Sequence, residues 1–304
     1  MGIPFADEFI SCMDFRTIAQ DYLGLPNTLL IGHVGMDVKG TPLDPYGRAL
    51  TTAVMTGDGW RTRHDAIKWT IYDQVHSCQV PICCEVLGLF TTCIPQASQF
   101  HRQSVRKRQS IVPDFMIRAV PPRDDKLEEL KCIGYTKTHH TAVTIQERCG
   151  AVKLRGQQLG PEHRAKARTT DRTYNHTPQG TVGPVETRLK SYGAIGALVI
   201  GPRAEISKDL DHLITMASKI GGERLWRSMG SRSQREARAV LKTSMRRRIG
   251  VVAARENARL KRERLAILLS PDGGAAAAGR RRASRAYYTF RQEQYFQNWH
   301  RYDN

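Results

Sequence analysis

Two carboxylates and a lysine stand at spacings that a pair of strands would bring together in residues 111–131, "IVPDFMIRAVPPRDDKLEELK". Side chains alternate along a strand, so Glu129 and Lys131 point to one face while Glu128 points to the other. If the first half of the stretch pairs antiparallel with the second half, Asp114 lies close to Glu129. Two neighbouring carboxylates repel unless a cation lies between them, and oxygen ligands favour Mg²⁺ or Mn²⁺. The stretch therefore predicts a metal site of Asp114 and Glu129.

Such a site has the chemistry of phosphodiester hydrolysis. A bound divalent metal lowers the pKa of a water and neutralises charge on the phosphate, and Lys131 beside it would orient that water. Glu85 is the single charged residue of "QVPICCEVLGLF" and adds a further candidate acid, because a buried lone carboxylate is costly unless it is paired. The alternative interpretation is structural. In that case Asp114 caps a turn, and Glu129 and Lys131 form an ordinary solvated strand face.

The charge of the chain indicates a polyanionic partner. Lys and Arg total 47 against 29 Asp and Glu, which gives a net charge of +18 and a pI near 9.9. Nucleic acid is the partner that this balance favours, DNA first and RNA as an alternative, and an anionic membrane surface is the weaker candidate. No run of about 18 apolar residues occurs, so no membrane span is expected.

The cysteines indicate a reducing compartment. They are seven in number, an odd count, and no two of them form a Cys-x-x-Cys pair, which argues against a disulfide scaffold and against a complete zinc finger. The first residues lack the basic and apolar regions of a signal peptide. The expected location is intracellular, in the nucleus.

Hydrophobic periodicity predicts helices interleaved with strands, which is typical of an α/β layered domain. The predicted elements begin with a helix at 4–23 ended by Gly24, a loop-rich stretch at 24–59 with one short hairpin, and a helix at 60–75. Strands at 79–90, 111–120 and 127–135 follow, and then a helix at 160–175 with Pro161 in its first turn. The chain continues with a strand at 194–202, a helix at 204–222 closed by Gly221, and a basic helical stretch interrupted by Gly250.

Composition and charge predict four segments along the chain. These are an N-terminal helix and loop-rich segment at 1–59, a core at 60–222, a basic helical extension at 223–269 and a flexible basic tail at 270–304.

Six stretches together resemble the PD-(D/E)xK restriction-like nucleases. They are "RHDAIKWTIYDQV", "ICCEVLGLF", "VPDFMIRAV", "LEELKCIGY", "HRAKARTTDRTY" and "YGAIGALVIGP". More narrowly, they resemble the endonuclease region that follows the reverse transcriptase in site-specific non-LTR retrotransposons. The resemblance covers about residues 15–220. It implies an αβββαβ core, a mixed sheet flanked by helices, with the basic helical extension added at its C-terminal side.

The resemblance also implies roles for particular residues. Asp114 and Glu129 would hold Mg²⁺ or Mn²⁺, Lys131 would be the catalytic lysine, and Glu85 would be an additional acid and metal ligand. Nucleic-acid contacts are expected from Arg63 and His64, which match the Arg-His pair ahead of the core, and from Lys166 and Tyr174 on the helix after the lysine strand. The charge of "MRRRIGVVAARENARLKRER" adds Arg246, Arg247 and Arg248 as phosphate contacts.

The sequence departs from the family pattern at two places that bear on metals. The third carboxylate is Glu where the family often has Asp, which lengthens the ligand arm. The family carries a zinc knuckle before the Arg-His pair, whereas residues 29–60 contain one His and no Cys, so no zinc site is expected there. A polymerase Tyr-x-Asp-Asp motif and a base-reading motif are also missing from the sequence.

The first functional hypothesis is a metal-dependent DNA endonuclease derived from a retrotransposon-type element. The second is a catalytically inactive nucleic-acid-binding module with the same fold. The third is an RNA- or ribosome-associated structural protein that acts through its basic tail. The oligomeric state and the target sequence are left open by the sequence.

Overall fold

A computed structural model describes residues 9–55, 59–86, 88–96, 111–118, 125–134 and 145–269. The α-helices in these ranges are α1 (Cys12–Leu23), α2 (Arg48–Thr52), α3 (Gly59–Ser77), α4 (Ile145–Tyr174), α5 (Pro184–Ser191), α6 (Lys208–Leu225) and α7 (Gln234–Leu269). The strands are β1 (Ile82–Cys84), β2 (Phe115–Ile117), β3 (Lys126–Cys132) and β4 (Gly196–Ile200), and short 3-10 turns occupy Thr28–Leu30 and Thr91–Cys93.

The four strands form one mixed sheet in the order β1-β2-β3-β4. β2 pairs antiparallel with both β1 and β3, whereas β3 pairs parallel with β4. A parallel pair needs a long crossover, and α4 and α5 lie between β3 and β4 in the chain. The predicted α/β class is therefore confirmed.

The sheet is the middle layer of the protein. On one face, Phe115 and Leu130 pack in a buried cluster with Ile71 of α3, Leu213 of α6 and Ile249 of α7. On the other face, the helices of the crossover pack against side chains of opposite phase, among them Met116, Leu127 and Val199. Both faces of β3 are consequently covered, and any charged side chain on this strand has to be paired or hydrogen-bonded.

The predicted end of the first helix is confirmed. α1 ends at Leu23, and Gly24 follows in the left-handed conformation with a φ of 70°, which glycine adopts without a steric penalty. The start at Ser11 is capped by its own side chain, which accepts from the backbone N–H of Asp14. Residues 4–8 of the predicted helix lie outside the described residues. In the loop-rich stretch, a bridge between Asp37 and Pro42 supplies the expected short hairpin.

The position of Pro161 was predicted wrongly. α4 starts at Ile145, so Pro161 lies inside the helix rather than in its first turn. Val152 and Leu159 before the proline and Ala167 after it are all buried. Packing of this stripe against the sheet holds the two halves in one helix, although a proline removes a backbone donor from the helix interior.

Neither Gly221 nor Gly250 ends or interrupts a helix, contrary to the prediction. α6 continues past Gly221 to Leu225, and α7 runs unbroken through Gly250. A Cβ on Gly221 would lie 2.9 Å from both Cβ and Sγ of Cys78, so this glycine allows α6 to approach the end of α3 closely. The helix α5 was not predicted.

α7 is a core helix. Its residues Met245, Ile249 and Val252 are buried in the same cluster as Ile71 and Phe115. The predicted segments 60–222 and 223–269 therefore share a core. The basic loop before β2 and the tail at 270–304 lie outside the described residues. None of the helices in the described ranges combines the length and the apolar character needed to cross a bilayer.

A methyl group added at Gly196 of β4 is expected to destabilise the protein. This glycine pairs with Glu128 in the β3–β4 register, and a Cβ on Gly196 would overlap the carboxylate of Glu128. Gly196→Ala is expected to lower the free energy of unfolding by about 1–3 kcal/mol, the usual cost of overpacking, as measured by urea denaturation.

The matched control for this change is Gly156→Ala in α4. A Cβ there would meet the Cβ of Ala197 at 3.6 Å, an ordinary contact, so the change should be neutral or stabilising by up to about 1 kcal/mol. Adding Glu128→Ala to Gly196→Ala should remove the clash and give non-additive energies in a double-mutant cycle. Additive energies would contradict the assignment of the cost to this contact.

Candidate active site

Asp114 and Glu129 occupy neighbouring positions on β2 and β3. The last described pair of the ladder is Phe115 with Glu128, and the next residues outward are Asp114 and Glu129. Oδ2 of Asp114 accepts a hydrogen bond of 2.8 Å from the backbone N–H of Leu130. This bond fixes the carboxylate of Asp114 against the middle of β3.

His64 of α3 lies against the same carboxylate. Its Nε2 is 3.4 Å from Oδ2 of Asp114 and 3.3 Å from the carbonyl oxygen of Leu130, while its Nδ1 is 3.3 Å from Oδ1 of Asp65. Burial by itself would lower the pKa of His64, but the hydrogen bonds to Asp114 and Asp65 raise it to about 9. At neutral pH an imidazolium therefore neutralises Asp114.

Glu85 follows β1 and is tied to the same group of residues. Its backbone N–H donates to the carbonyl oxygen of Asp114 at 3.1 Å, and its φ is 48°, a left-handed conformation that is uncommon for a residue with a side chain. The side chain pairs with the ammonium of Lys68, which also lies 3.3 Å from Asp65. Burial lowers the pKa of Lys68, but Glu85 and Asp65 outweigh it, so that this buried amine stays charged.

Glu129 points to the opposite side of the sheet, under α4. Its Oε1 accepts from Nζ of Lys131 at 2.6 Å, and its Oε2 is 3.6 Å from Nε2 of His163. Burial would raise the pKa of Glu129, yet His163 and Lys131 lower it below the usual range. Glu129 and Lys131 thus share a face, as the alternation of side chains predicted.

His163 is a site residue that the sequence reasoning missed. It is buried on α4, and its Nδ1 has no hydrogen-bond partner among the described residues. Leu159 and Ala167 lie four residues before and after it, and both are buried. The signal for His163 in the sequence is its position in phase with this apolar stripe, because a helix turns such residues toward the interior.

The side chains of Asp114 and Glu129 carry the kind of donor atoms that Mg²⁺ prefers. Asp114 and Glu129 offer hard oxygen donors on adjacent register positions, and Oε2 of Glu129 is buried without a hydrogen-bond partner in the described part of the chain. Mg²⁺ is commonly held by one or two carboxylates with waters completing its shell. Within the same ranges, no group of three or more His, Cys, Asp and Glu residues is arranged to hold a metal ion. The carboxylate of Asp114 contacts His64 of α3 and that of Glu129 contacts His163 of α4, so the two would share an ion only after their side chains turn toward each other.

Two of the predicted nucleic-acid contacts lie in the interior. Arg63 is 6% exposed, and its guanidinium donates to the side chain of Asn257 and to the carbonyl oxygen of Cys132, both at 3.2 Å. It joins α3 to α7 and β3. Tyr174 is equally buried and packs with Val185 of α5. Contact of either side chain with a nucleic acid is not compatible with this burial.

The other predicted contacts differ in exposure. His64 is partly buried against Asp114; Lys166, Arg246 and Arg247 are exposed, and Arg248 is half-buried. Arg246 forms an ion pair with Asp211 at the start of α6. Lys166 is on α4, three residues after His163, whereas the three arginines are on α7. Their contact with nucleic acid stays a prediction.

The fold and these side chains define an α/β protein with a mixed four-stranded sheet and buried carboxylate–cation pairs on both sides of β3. Comparison of the chain with models of known families, with curated proteins and with solved structures finds no match.

Proposed function

We propose that this protein is a metal-dependent DNA endonuclease with a restriction-like core, derived from a retrotransposon-type element. The order of elements supports the proposal. A helix, three antiparallel strands, a crossover and a fourth strand parallel to the third follow one another as α3, β1, β2, β3, the crossover helices α4 and α5, and β4. Apart from the additional helix α5, this is the order that the resemblance to PD-(D/E)xK nucleases implies.

The observation that carries the proposal is the adjacent register of Asp114 on β2 and Glu129 on β3, with Lys131 beside Glu129. Asp114 and Glu129 are the next residues beyond the Phe115–Glu128 pair, on β2 and β3 respectively. Lys131 lies on the same face as Glu129, within hydrogen-bond distance of it. An ordinary solvated strand face does not explain the acids, because Asp114 is 9% and Glu129 is 5% exposed. Buried charges in such a position need a structural or chemical reason.

Each residue has a defined part in the proposed reaction. With their side chains turned toward each other, Asp114 and Glu129 would hold Mg²⁺ or Mn²⁺, which would supply a more acidic water and neutralise charge on the phosphodiester. Lys131, whose side chain is 32% exposed, would orient the attacking water and stabilise the negative charge of the pentavalent phosphorus. His64 holds Asp114 in place, and Glu85 supplies further negative charge beside it.

The partner in this proposal is DNA in the nucleus. A net charge of +18 favours a polyanion, and each neutralised phosphate makes the affinity more sensitive to salt. The exposed basic side chains of α4 and α7 are the groups that would contact the phosphates.

A second candidate function is a nucleic-acid-binding module without catalysis. The observation in its favour is that every proposed acid already contacts a protein cation. Lys131 pairs with Glu129, Lys68 with Glu85, and His64 with Asp114. These pairs stabilise the carboxylates in the absence of a metal.

Plasmid nicking decides between the two functions. Purified protein with supercoiled plasmid should produce nicked circles in Mg²⁺ or Mn²⁺ and none in excess chelator. Binding to a labelled duplex, followed in parallel, should weaken steeply with salt. Salt-sensitive binding with no nicking in either metal would support the second candidate and reject the first.

A further inference from the structure

A small basic cavity lies where α2, the loop after β4 and α7 meet. It encloses about 20 Å³, which is room for about one water-sized group. Asn257 and Lys261 of α7 are the buried part of its lining, whereas Arg48 of α2 and Arg203 of the loop after β4 are half-buried. Three separate parts of the chain thus bring three cationic side chains to one place.

Two arginine side chains of this cavity have unused hydrogen-bond donors in the described part of the chain. Nε of Arg48 is buried and has no hydrogen-bond partner there, while the guanidinium of the same residue lies over the ring of Tyr46 at 4.8 Å. The only hydrogen bond of Arg203 in these ranges is made by its backbone N–H, to Glu205. A buried donor without an acceptor is costly, so the cavity lacks an acceptor that the fold itself does not supply.

The buried part of the lining also presents donors. Arg63 donates to Oδ1 of Asn257 at 3.2 Å, and since a guanidinium only donates, this bond leaves Nδ2 of the amide as a donor. Lys261 donates to both carboxylate oxygens of Asp21 at 2.5 and 2.6 Å, which leaves one of its three N–H groups. Asp21 is the one carboxylate among the described lining residues, and Lys261 neutralises it.

The acidic residues next to the cavity are bonded to other groups. The carboxylate of Asp44 lies 3.6 Å from Nε of Arg48, but it accepts hydrogen bonds from three backbone N–H groups. Glu205 accepts from the backbone N–H of Arg203 and pairs with Arg148 at 3.5 Å. The cavity therefore has an excess of N–H donors and of positive charge. Guanidinium groups in particular match the planar, two-oxygen edge of a carboxylate or phosphate.

The position of the cavity in the sheet favours a phosphate. Arg203 follows the carboxyl end of β4, and Lys131 is the residue before the last pair of the neighbouring strand β3, Cys132 with Ile200. In open α/β sheets, ligands bind outside the carboxyl ends of the parallel strands. A nucleic-acid backbone that reaches Lys131 would therefore pass the edge of the sheet that carries the cavity.

We propose that this cavity is a phosphate-binding site in which Arg48 and Arg203 supply the charge and Asn257 supplies a buried donor. One phosphate oxygen would enter the cavity, and the rest of the group would lie between the two guanidinium groups at its opening. The phosphate comes from the backbone of bound DNA or from free inorganic phosphate. The DNA source rests on the proposed function, whereas phosphate binding itself does not.

Titration calorimetry of the full-length chain with inorganic phosphate tests the site. The unaltered protein should bind one phosphate at saturation, and Arg203→Gln should weaken this binding by about 10- to 100-fold, since hydrogen bonds to charged groups are the strong ones. Arg227→Gln is the matched control, because it removes the same charge from an exposed arginine that follows α6, and it should leave the affinity unchanged. Absence of saturable binding, or equal affinities of the two variants, overturns the proposal.

Two further measurements identify the place and the source of the phosphate. Lys131→Ala should leave the affinity for inorganic phosphate unchanged, and loss of binding in this variant instead of in Arg203→Gln would assign the ion to the proposed active site and reject the cavity.

Binding to a labelled duplex separates the two sources. If a DNA phosphate occupies the cavity, Arg203→Gln should reduce the salt dependence of duplex binding by about one counterion relative to Arg227→Gln. Weakened phosphate binding with an unchanged salt dependence would assign the site to free phosphate. Neither measurement requires cleavage, so a protein that fails to nick DNA would reject the proposed endonuclease and leave the phosphate site standing.

Discussion

Lys131→Ala is expected to abolish DNA nicking while leaving DNA binding intact. The ammonium of Lys131 is 2.6 Å from Oε1 of Glu129. Within this pair, the side chain of Lys131 is partly exposed, whereas that of Glu129 is buried. Its loss removes a charge aimed at the water and the phosphate, and loss of a single such group usually lowers the rate by about 10²–10³-fold. Plasmid nicking under single-turnover conditions measures the rate, and a duplex-binding assay measures the affinity.

Lys126→Ala is the matched control for this prediction. Lys126 lies on the same strand and forms a similar pair, 2.7 Å long, with Glu128, but this pair belongs to the opposite phase of β3. The Lys126→Ala variant should therefore nick plasmid at a rate within a few-fold of that of the unaltered protein. Equal loss of nicking in the two variants would show that the effect comes from a weakened sheet, and nicking that survives Lys131→Ala would point to another site.

The free energy of unfolding of the unaltered protein is expected to fall as the pH rises, and Glu128→Gln is expected to abolish this fall. Glu128 is 1% exposed, and its Oε2 has no hydrogen-bond partner among the described residues. Burial raises the pKa of this carboxyl to about 7, although Lys126 acts in the opposite direction. Between the ordinary pKa of about 4.5 and this value, the unfolded chain releases the proton first, so the free energy of unfolding falls as the pH rises.

The full effect should be present above pH 7 and amount to at most about 3 kcal/mol. Urea denaturation from pH 4 to pH 8 measures it as the difference between Glu128→Gln and the unaltered chain, which should grow in favour of the variant. Glu162→Gln is the control, because hydrogen bonding with Arg155 lowers the pKa of that partly exposed carboxyl. A constant difference for Glu128→Gln across this range would contradict the assignment of the pH dependence to Glu128.

The packing of α7 changes how the basic C-terminal part has to be tested. Deletion of everything after residue 230 would remove Met245, Ile249 and Val252 from the main core, so loss of binding in that variant would report unfolding. Charge reversal at exposed Arg246 or Arg247 is the informative change. Each should weaken DNA binding at low salt and reduce the salt dependence by about one counterion.

The sequence determined the local features of the fold and of the site. The alternation of side chains in β3 placed Glu129 with Lys131 and Glu128 on the other face, and this phase depends only on strand geometry. Gly24 ended α1 for an equally local reason, since glycine adopts the left-handed conformation that a helix end requires.

Tertiary structure decided the partners of the charged groups and the limits of the long helices. His64 meets Asp114, and His163 meets Glu129, only because α3 and α4 pack on the sheet, which brings together residues far apart in the chain. Pro161 stays inside α4 because burial of the apolar stripe on both sides of it compensates for a missing backbone donor. Local periodicity carries no information about such contacts, since they depend on which helix covers which face of the sheet.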